Sequence, residues 1–247
     1  MSGDADDVWL AGVDGCPVGW IAAFVRPAGN AGRLALFTRF ADILSAPERP
    51  RRIAVDIPIG LPERAGHGGR AAENAVRPKL GARQSSVFSV PSRAAVYATD
   101  HGEACRRALE TSDPPRKISK QLFNIAPKIR EVDAVLRDDP LLAERVHEGH
   151  PELAFWRLNG GMPLSEPKKV KSRCHAPGLA QRRRLLAQAA MPAHLIETAP
   201  MRGAGPDDLI DALACAAIAR YIHTGAAQSF PANPPRDAFG LPMAIWA

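Results

Sequence analysis

Val8-Trp9-Leu10-Ala11-Gly12-Val13-Asp14-Gly15-Cys16-Pro17-Val18-Gly19-Trp20-Ile21-Ala22-Ala23-Phe24-Val25 is the stretch that decides the fold. Val8 to Val13 is an apolar run with β character that meets a carboxylate at Asp14. Gly15 to Gly19 reads as a turn, because Gly and Pro punctuate regular structure. Trp20 to Val25 is a second apolar run, and Leu34, Leu36, Thr38 and Phe40 alternate along a third. Connections this short favour an antiparallel meander. Phe40 to Leu44 reads as a short helix ended by Pro47 and Pro50, and Ile53 to Ile57 is a fourth strand. That strand is too apolar to be half-exposed, and one reached through a helical crossover is expected to run parallel to the first.

Residues 61–145 are rich in Arg, Pro and Gly and poor in strand signals, so they read as a helical and loop insertion within a single domain spanning 1–247. The clearest helix there is Ser119 to Arg137, with a stripe of Leu122, Ile125, Ile129, Val132 and Leu136 and a kink or restart expected at Pro127. Val146 to Glu148 is a fifth strand. Pro151 opens a helix reaching Leu158, with His150 as its cap. Gly160 to Gly178 reads as a mobile basic loop, Gln181 to Ala190 as a helix, and about Asp207 to His223 as a final Ala-rich helix ended by Gly225. This order is that of the ribonuclease H-like fold: α/β, with a mixed five-stranded sheet, strands one to three antiparallel, strands one, four and five parallel, and flanking helices. A fold alone does not give function.

Carboxylates recur where these segments should be apolar. Asp14 and Asp56 end strands one and four, Glu148 ends strand five, and Asp208 and Asp211 lie one turn apart at the start of the last helix. A buried acid is costly unless it is hydrogen-bonded or neutralised. Parallel neighbouring strands bring Asp14 and Asp56 to the same end of the sheet, and positions i and i+3 share a helix face, so all five can line one pocket. Hard cations such as Mg2+ or Mn2+ want an oxygen cage of this kind, and two of them could activate water against a phosphodiester. Two of the acids also have a bland explanation, a turn Asp at 14 and a cap or first-turn acid at Asp208, whereas Asp56, in an apolar segment, and Asp211, deeper in its helix, are harder to dismiss. Glu152, an acid in the first turn of its helix, competes with Glu148.

Composition bounds the rest. Hydrophobic residues are 46% and charged residues 23%, which suits a globular chain with a real core. The four cysteines form no C-x-x-C motif, which argues against a disulfide framework and for a reducing compartment. The start, Met1 to Asp7, is acidic and unlike a signal peptide, and no apolar run approaches the ~18 residues of a membrane span. A cytoplasmic location with no membrane partner is therefore expected. Net charge is +6, and residues 61–200 hold 23 basic against 15 acidic residues. A basic surface beside an acidic pocket suits nucleic acid, although a solvated Arg-rich surface would look the same.

At these residues the chain resembles the predicted RNase H-like nucleases, a family catalogued largely as a domain of unknown function. The resemblance is carried by Gly12-Val13-Asp14-Gly15 with Gly19-Trp20, by Val55-Asp56-Ile57-Pro58-Ile59-Gly60-Leu61-Pro62, and by Arg83-Gln84-Ser85-Ser86-Val87-Phe88. It continues through Pro127 to Asp133, Glu148 to Glu152, Asp208 to Ala212, and Asp237 with Gly240-Leu241-Pro242. The Asp-x-x-Asp-Ala-Leu-Ala ending also looks like that of RuvC-type Holliday-junction resolvases. The resemblance implies Asp14, Asp56, Glu148 and the Asp208/Asp211 pair as the acidic site of a Mg2+- or Mn2+-dependent nuclease acting on DNA or RNA, and a resolvase-like role would need a homodimer. Arg83 and Ser85 then suit a substrate phosphate, and Lys168 and Lys169 a backbone phosphate or leaving group; capping or solvation would explain them as well. Two alternatives remain: a nucleotide-binding phosphotransferase or ATPase of related fold, and a catalytically silent binding module.

Overall fold

A computed structural model describes residues 8–247; the acidic start, Met1 to Asp7, lies outside the described residues. In chain order the elements are β1 (Leu10–Cys16), β2 (Gly19–Val25), β3 (Gly32–Phe37), α1 (Phe40–Leu44), β4 (Arg52–Val55), α2 (Ala71–Val76), α3 (Arg93–Val96), α4 (His101–Glu110), α5 (Lys120–Asp138), β5 (Val146–Glu148), α6 (Pro151–Leu158), β6 (Lys169–Val170), β7 (Arg173–Cys174), α7 (Ala176–Gln188), α8 (Ala193–Ile196) and α9 (Pro206–His223). They divide into two compact units. The first holds the described residues up to Asp56, with Arg145–Ala227 and Trp246–Ala247; the second holds Ile57–Glu144 and Gln228–Ile245.

The first unit is built on a five-stranded sheet of order β3-β2-β1-β4-β5. β1 pairs antiparallel with β2 and β2 with β3, while β4 runs parallel to both β1 and β5. This is the mixed sheet expected of the ribonuclease H-like order. β2, between β3 and β1, is buried along nearly its whole length, whereas the edge strand β3 is half-exposed. Trp20 meets Phe40 of α1 edge-on, with ring centroids 5.4 Å apart, so the short helix is tied to the strand before the crossover.

α9 packs on β1, β4 and β2. Every residue from Leu209 to Ala219 is buried, as expected of a helix apolar on all sides. The sheet admits so close a helix because Gly12 faces it: a Cβ there would lie 1.9 Å from the Ala216 backbone nitrogen and 2.1 Å from the Ala212 carbonyl oxygen.

Several sequence expectations are corrected. The β1–β2 ladder continues through Asp14↔Ile21 and Gly15↔Trp20 to Cys16↔Gly19. The turn is therefore only Pro17 and Val18, and Asp14 lies inside a strand. The basic stretch 160–178, expected to be a mobile loop, contains the hairpin β6–β7, whose turn residues Lys171 and Ser172 have φ of 47° and 63°. Both in the left-handed region is the signature of a two-residue hairpin turn. α7 follows at once, opened by Pro177 five residues earlier than read from sequence.

In the second unit α5 runs unbroken through Pro127, capped by the Ser119 hydroxyl, which accepts from the Leu122 amide at 3.1 Å. Arg93 joins Asp133 of α5 to Asp237, the latter at 2.6 Å. Asp237 also accepts from the Leu61, Phe239 and Leu241 amides. A buried Arg70–Glu73 pair at 2.6 Å holds the Ile59 and Gly60 carbonyls. These motif residues therefore organise loops within their own unit. Arg83 and Ser85 lie in a short 3-10 helix, Gly81–Ser86, with Ser85 exposed.

Candidate functional site

Three carboxylates of the first unit converge electrostatically. β1 brings Asp14, the residue following β4 is Asp56, and the second turn of α9 brings Asp211. The Asp56 amide donates to the Val13 carbonyl at 3.0 Å, which prolongs the β1–β4 ladder by one step and sets Asp56 beside Asp14. Gly12 meets Ala212 and Ala216, while Asp14 two residues on feels the charges of Asp211 and Asp208, so moving forward along β1 moves back along α9.

Burial and mutual repulsion set their ionisation. Burial, followed by the charges of Asp211 and Asp56, pushes Asp14 well above the usual carboxylate range. Burial and Asp211 push Asp56 up to about 8. Burial raises Asp211 to about 6, although the Lys168 ammonium opposes it. Asp211 Oδ1 is buried and has no hydrogen-bond partner.

A cationic side chain already sits on these acids. Lys168 Nζ donates to Asp211 Oδ2. Burial works against the ammonium, but the charges of Asp211, Asp14 and Asp56 outweigh it and hold Lys168 protonated. Next to it, Lys169 pairs with Asp207 at 2.5 Å and the Cys174 thiol donates to Asp207 at 3.3 Å. Burial alone would raise Asp207, yet the Lys169 hydrogen bond and the Lys168 charge leave its pKa lowered.

The segment carrying the two lysines is anchored by α7. The His175 amide donates to the Lys168 carbonyl at 2.9 Å. Gly178 packs so closely on Pro167 that a Cβ would lie 1.9 Å from its carbonyl oxygen. Arg182, fully buried, donates to the Glu166 and Gly178 carbonyls and to Glu152 at 2.5 Å.

The other sequence candidates take different places. Asp208 Oδ2 accepts from the Gly205 amide at 2.8 Å, so it caps α9 from the third position. It still acts on Asp14 through its charge. Val55 pairs with Glu148 and Ala54 with His147. Ala54 belongs to the α9-facing core, so alternation turns Glu148 to the opposite sheet face from Asp14. Its charge still raises Asp56. Glu152, the alternative, opens α6 and acts on both Asp56 and Asp211. His150 caps α6, its Nδ1 accepting from the Leu153 amide at 3.3 Å.

Sequence reading did not single out Arg182 or Asp207. Arg182 falls in the buried stripe Gly178, Leu179, Arg182, Leu185, Leu186 of α7. A lone guanidinium at that helical spacing was the available signal that it needs a buried acid.

The donor set suits a hard cation: all-oxygen ligands, one of them orphaned, in an environment that resists a cluster of bare negative charges. Among the described residues no three His, Cys, Asp or Glu side chains stand together closely enough to hold a metal ion as they are. The cation on the acids here is the Lys168 ammonium. No helix among the described residues is long and apolar enough to cross a membrane.

No curated protein and no solved structure matches the chain. A family model does match, over residues 12–236, a span that includes every candidate acid. The chain belongs to the family described as Protein of unknown function (DUF429).

Proposed function

We propose that the protein is a metal-dependent phosphodiester hydrolase acting on DNA or RNA. The observation that carries this reading is the set of three carboxylates from β1, the end of β4 and α9, Asp14 and Asp211 buried and Asp56 half-buried, each with its pKa raised and Asp211 with an orphaned oxygen. Asp14, Asp56 and Asp211 would hold Mg2+ or Mn2+, with Glu152 or Glu148 and Asp208 adding negative charge around them. A cation bound there supplies an activated water and neutralises charge at the leaving oxygen. The sheet and α9 fix the three carboxylates and keep bulk water from their inner faces. Lys168 would yield Asp211 to the cation, and its ammonium would stay beside the site as a charge complementary to a phosphodiester.

Mn2+ titration followed by thermal melting tests the reading. At about 100 times its Kd a ligand adds about 2.7 kcal/mol, roughly 5–11 °C for a chain of this size. The shift should be larger at pH 8.5 than at pH 5.5. Cation binding must displace protons from Asp56 and Asp211, whose pKa values lie at about 8 and about 6. A melting temperature indifferent to Mn2+ at both pH values would refute the cage. Cleavage of labelled DNA and RNA panels with and without EDTA then tests the reaction.

Lys168→Met separates competitor from helper. It removes the ammonium that occupies Asp211, so Mn2+ affinity measured by calorimetry at pH 8 should rise about tenfold. Without metal the variant should melt lower, because a buried carboxylate loses its partner. A fall in Mn2+ affinity would mean that Lys168 assists cation binding rather than competing with it.

A further inference from the structure

At the far end of the same sheet lies a cleft of about 600 Å³ lined by Leu44, Ser45, Pro50 and four arginines, Arg49, Arg51, Arg52 and Arg145. We propose that it is a second site, one that binds the phosphate groups of an anionic ligand.

Four like charges around one cleft repel unless an anion neutralises them. None of the four guanidiniums has a carboxylate partner among the described residues. Their side-chain bonds go to backbone carbonyls instead, Arg145 to Pro50 at 3.0 Å and Arg52 to Arg51 at 3.1 Å. Glu48, next to Arg49 in sequence, is taken by Arg33 at 2.5 Å, and Glu144, next to Arg145, is exposed. His223, at the end of α9, feels the same field: burial, then the charges of Arg51 and Arg52, lower its pKa.

The backbone is shaped to hold this arrangement. Arg49 has a φ of 44°, a left-handed conformation that a non-glycine residue adopts at a cost. The Arg49 amide donates to Ala46 at 2.8 Å and the Arg51 amide to Trp9 at 2.7 Å. The Ile53 amide donates to the Arg145 carbonyl at 2.7 Å, which ties the starts of β4 and β5 together and brings Arg145 to the others. Arginine's planar fork suits phosphate oxygens better than a point charge does.

Size and charge select the ligand class. The volume is in the range of small-ligand clefts, and four guanidiniums match two or more phosphates. The cleft is distinct from the carboxylate centre: Arg52 begins β4 and Asp56 follows its end, about 13 Å away at strand rise. The proposal does not depend on metal chemistry at that centre. Two sources share the chemistry, a free polyphosphate and the backbone of a nucleic-acid strand, and they can be told apart.

The test compares wild type with the double variant Arg49→Gly/Arg51→Gln. Both arginines are exposed, and glycine accepts the left-handed backbone at 49, so the melting temperature should hold. Calorimetry with inorganic pyrophosphate and fluorescence anisotropy with a labelled 12-nucleotide strand, both in EDTA, read the two sources. Loss of pyrophosphate affinity by tenfold or more assigns the cleft to a free polyphosphate. Loss confined to the oligonucleotide, with the slope of log K against log salt reduced by about 1.4 for the two arginines on a single strand, assigns it to a nucleic-acid backbone. If the wild type binds neither probe, or the double variant binds both as tightly as wild type, the proposal is overturned.

Discussion

Asp56→Asn is expected to lower Mn2+-dependent phosphodiester cleavage by about a thousandfold or more, while the metal-free protein melts higher than wild type at pH 8.5. A thousandfold is about 4 kcal/mol of transition-state stabilisation, the scale of losing one charged ligand from a hydrolytic centre. The stability effect has the opposite sign because of how Asp56 is held. Its carboxylate makes no hydrogen bond or ion pair among the described residues, and burial with Asp211 raises its pKa to about 8. An unfolded aspartate titrates near ~3.9. A group raised on folding contributes stability that is fully present below about pH 4 and lost as pH rises through its folded pKa. At pH 8.5 wild type therefore carries the full cost of a half-buried charge among like charges, and asparagine, which does not ionise, removes it. The gain should be of the order of 1–3 kcal/mol, read in EDTA as a rise of a few degrees, and it should vanish near pH 4. A variant that keeps its activity, or melts lower at pH 8.5, would contradict an acid held for function at a cost in stability.

The sheet was legible because its signals are local. Apolar runs separated by short turns specify the β1–β2–β3 meander, and an apolar fourth strand after a helix specifies the parallel crossover to β4. The acids of the site were legible for the same reason: Asp56 interrupts an apolar segment, and Asp211 stands inside an Ala-rich helix. What stayed hidden depends on partners distant in sequence. Lys168 reads as one lysine of a basic loop until the packing of Gly178 on Pro167 delivers it to Asp211, 43 residues on. Glu152 reads as a first-turn acid until buried Arg182 is found beside it. Glu148 was drawn to the site by its place at a strand end, and only the β4–β5 register turns it to the other face. The short helices α2, α3 and α4 were missed among Arg, Pro and Gly, where a helical stripe has too few turns to stand out.

Gly12→Ala is expected to have the largest effect on stability of any substitution in the first unit, more than about 4 kcal/mol. The added methyl would meet the Ala216 nitrogen at 1.9 Å, the Ala212 oxygen at 2.1 Å and the Cys215 carbonyl carbon at 2.5 Å. All three are backbone atoms, so no rotamer change relieves the overlap and the helix itself must retreat by more than an ångström. α9 cannot retreat cheaply, since it is buried on every side from Leu209 to Ala219 and close-packed interiors answer such shifts with voids. Side-chain truncation in the helix does not help: Ala216→Gly added to Gly12→Ala should rescue nothing, because the clash is with the main chain. Soluble yield and denaturant melts measure the loss, and Gly102→Ala at an exposed position of α4 is the control, expected to be neutral or mildly stabilising. The same approach also sets the site. Two residues along β1 cover about 6.7 Å and one turn of α9 about 5.4 Å, so contact at Gly12 is what brings Asp14 level with Asp211. A weakly folded Gly12→Ala protein should therefore also lose its Mn2+-dependent thermal shift. Wild-type stability in this variant would show that the strand and the helix do not pack as closely as their backbones indicate.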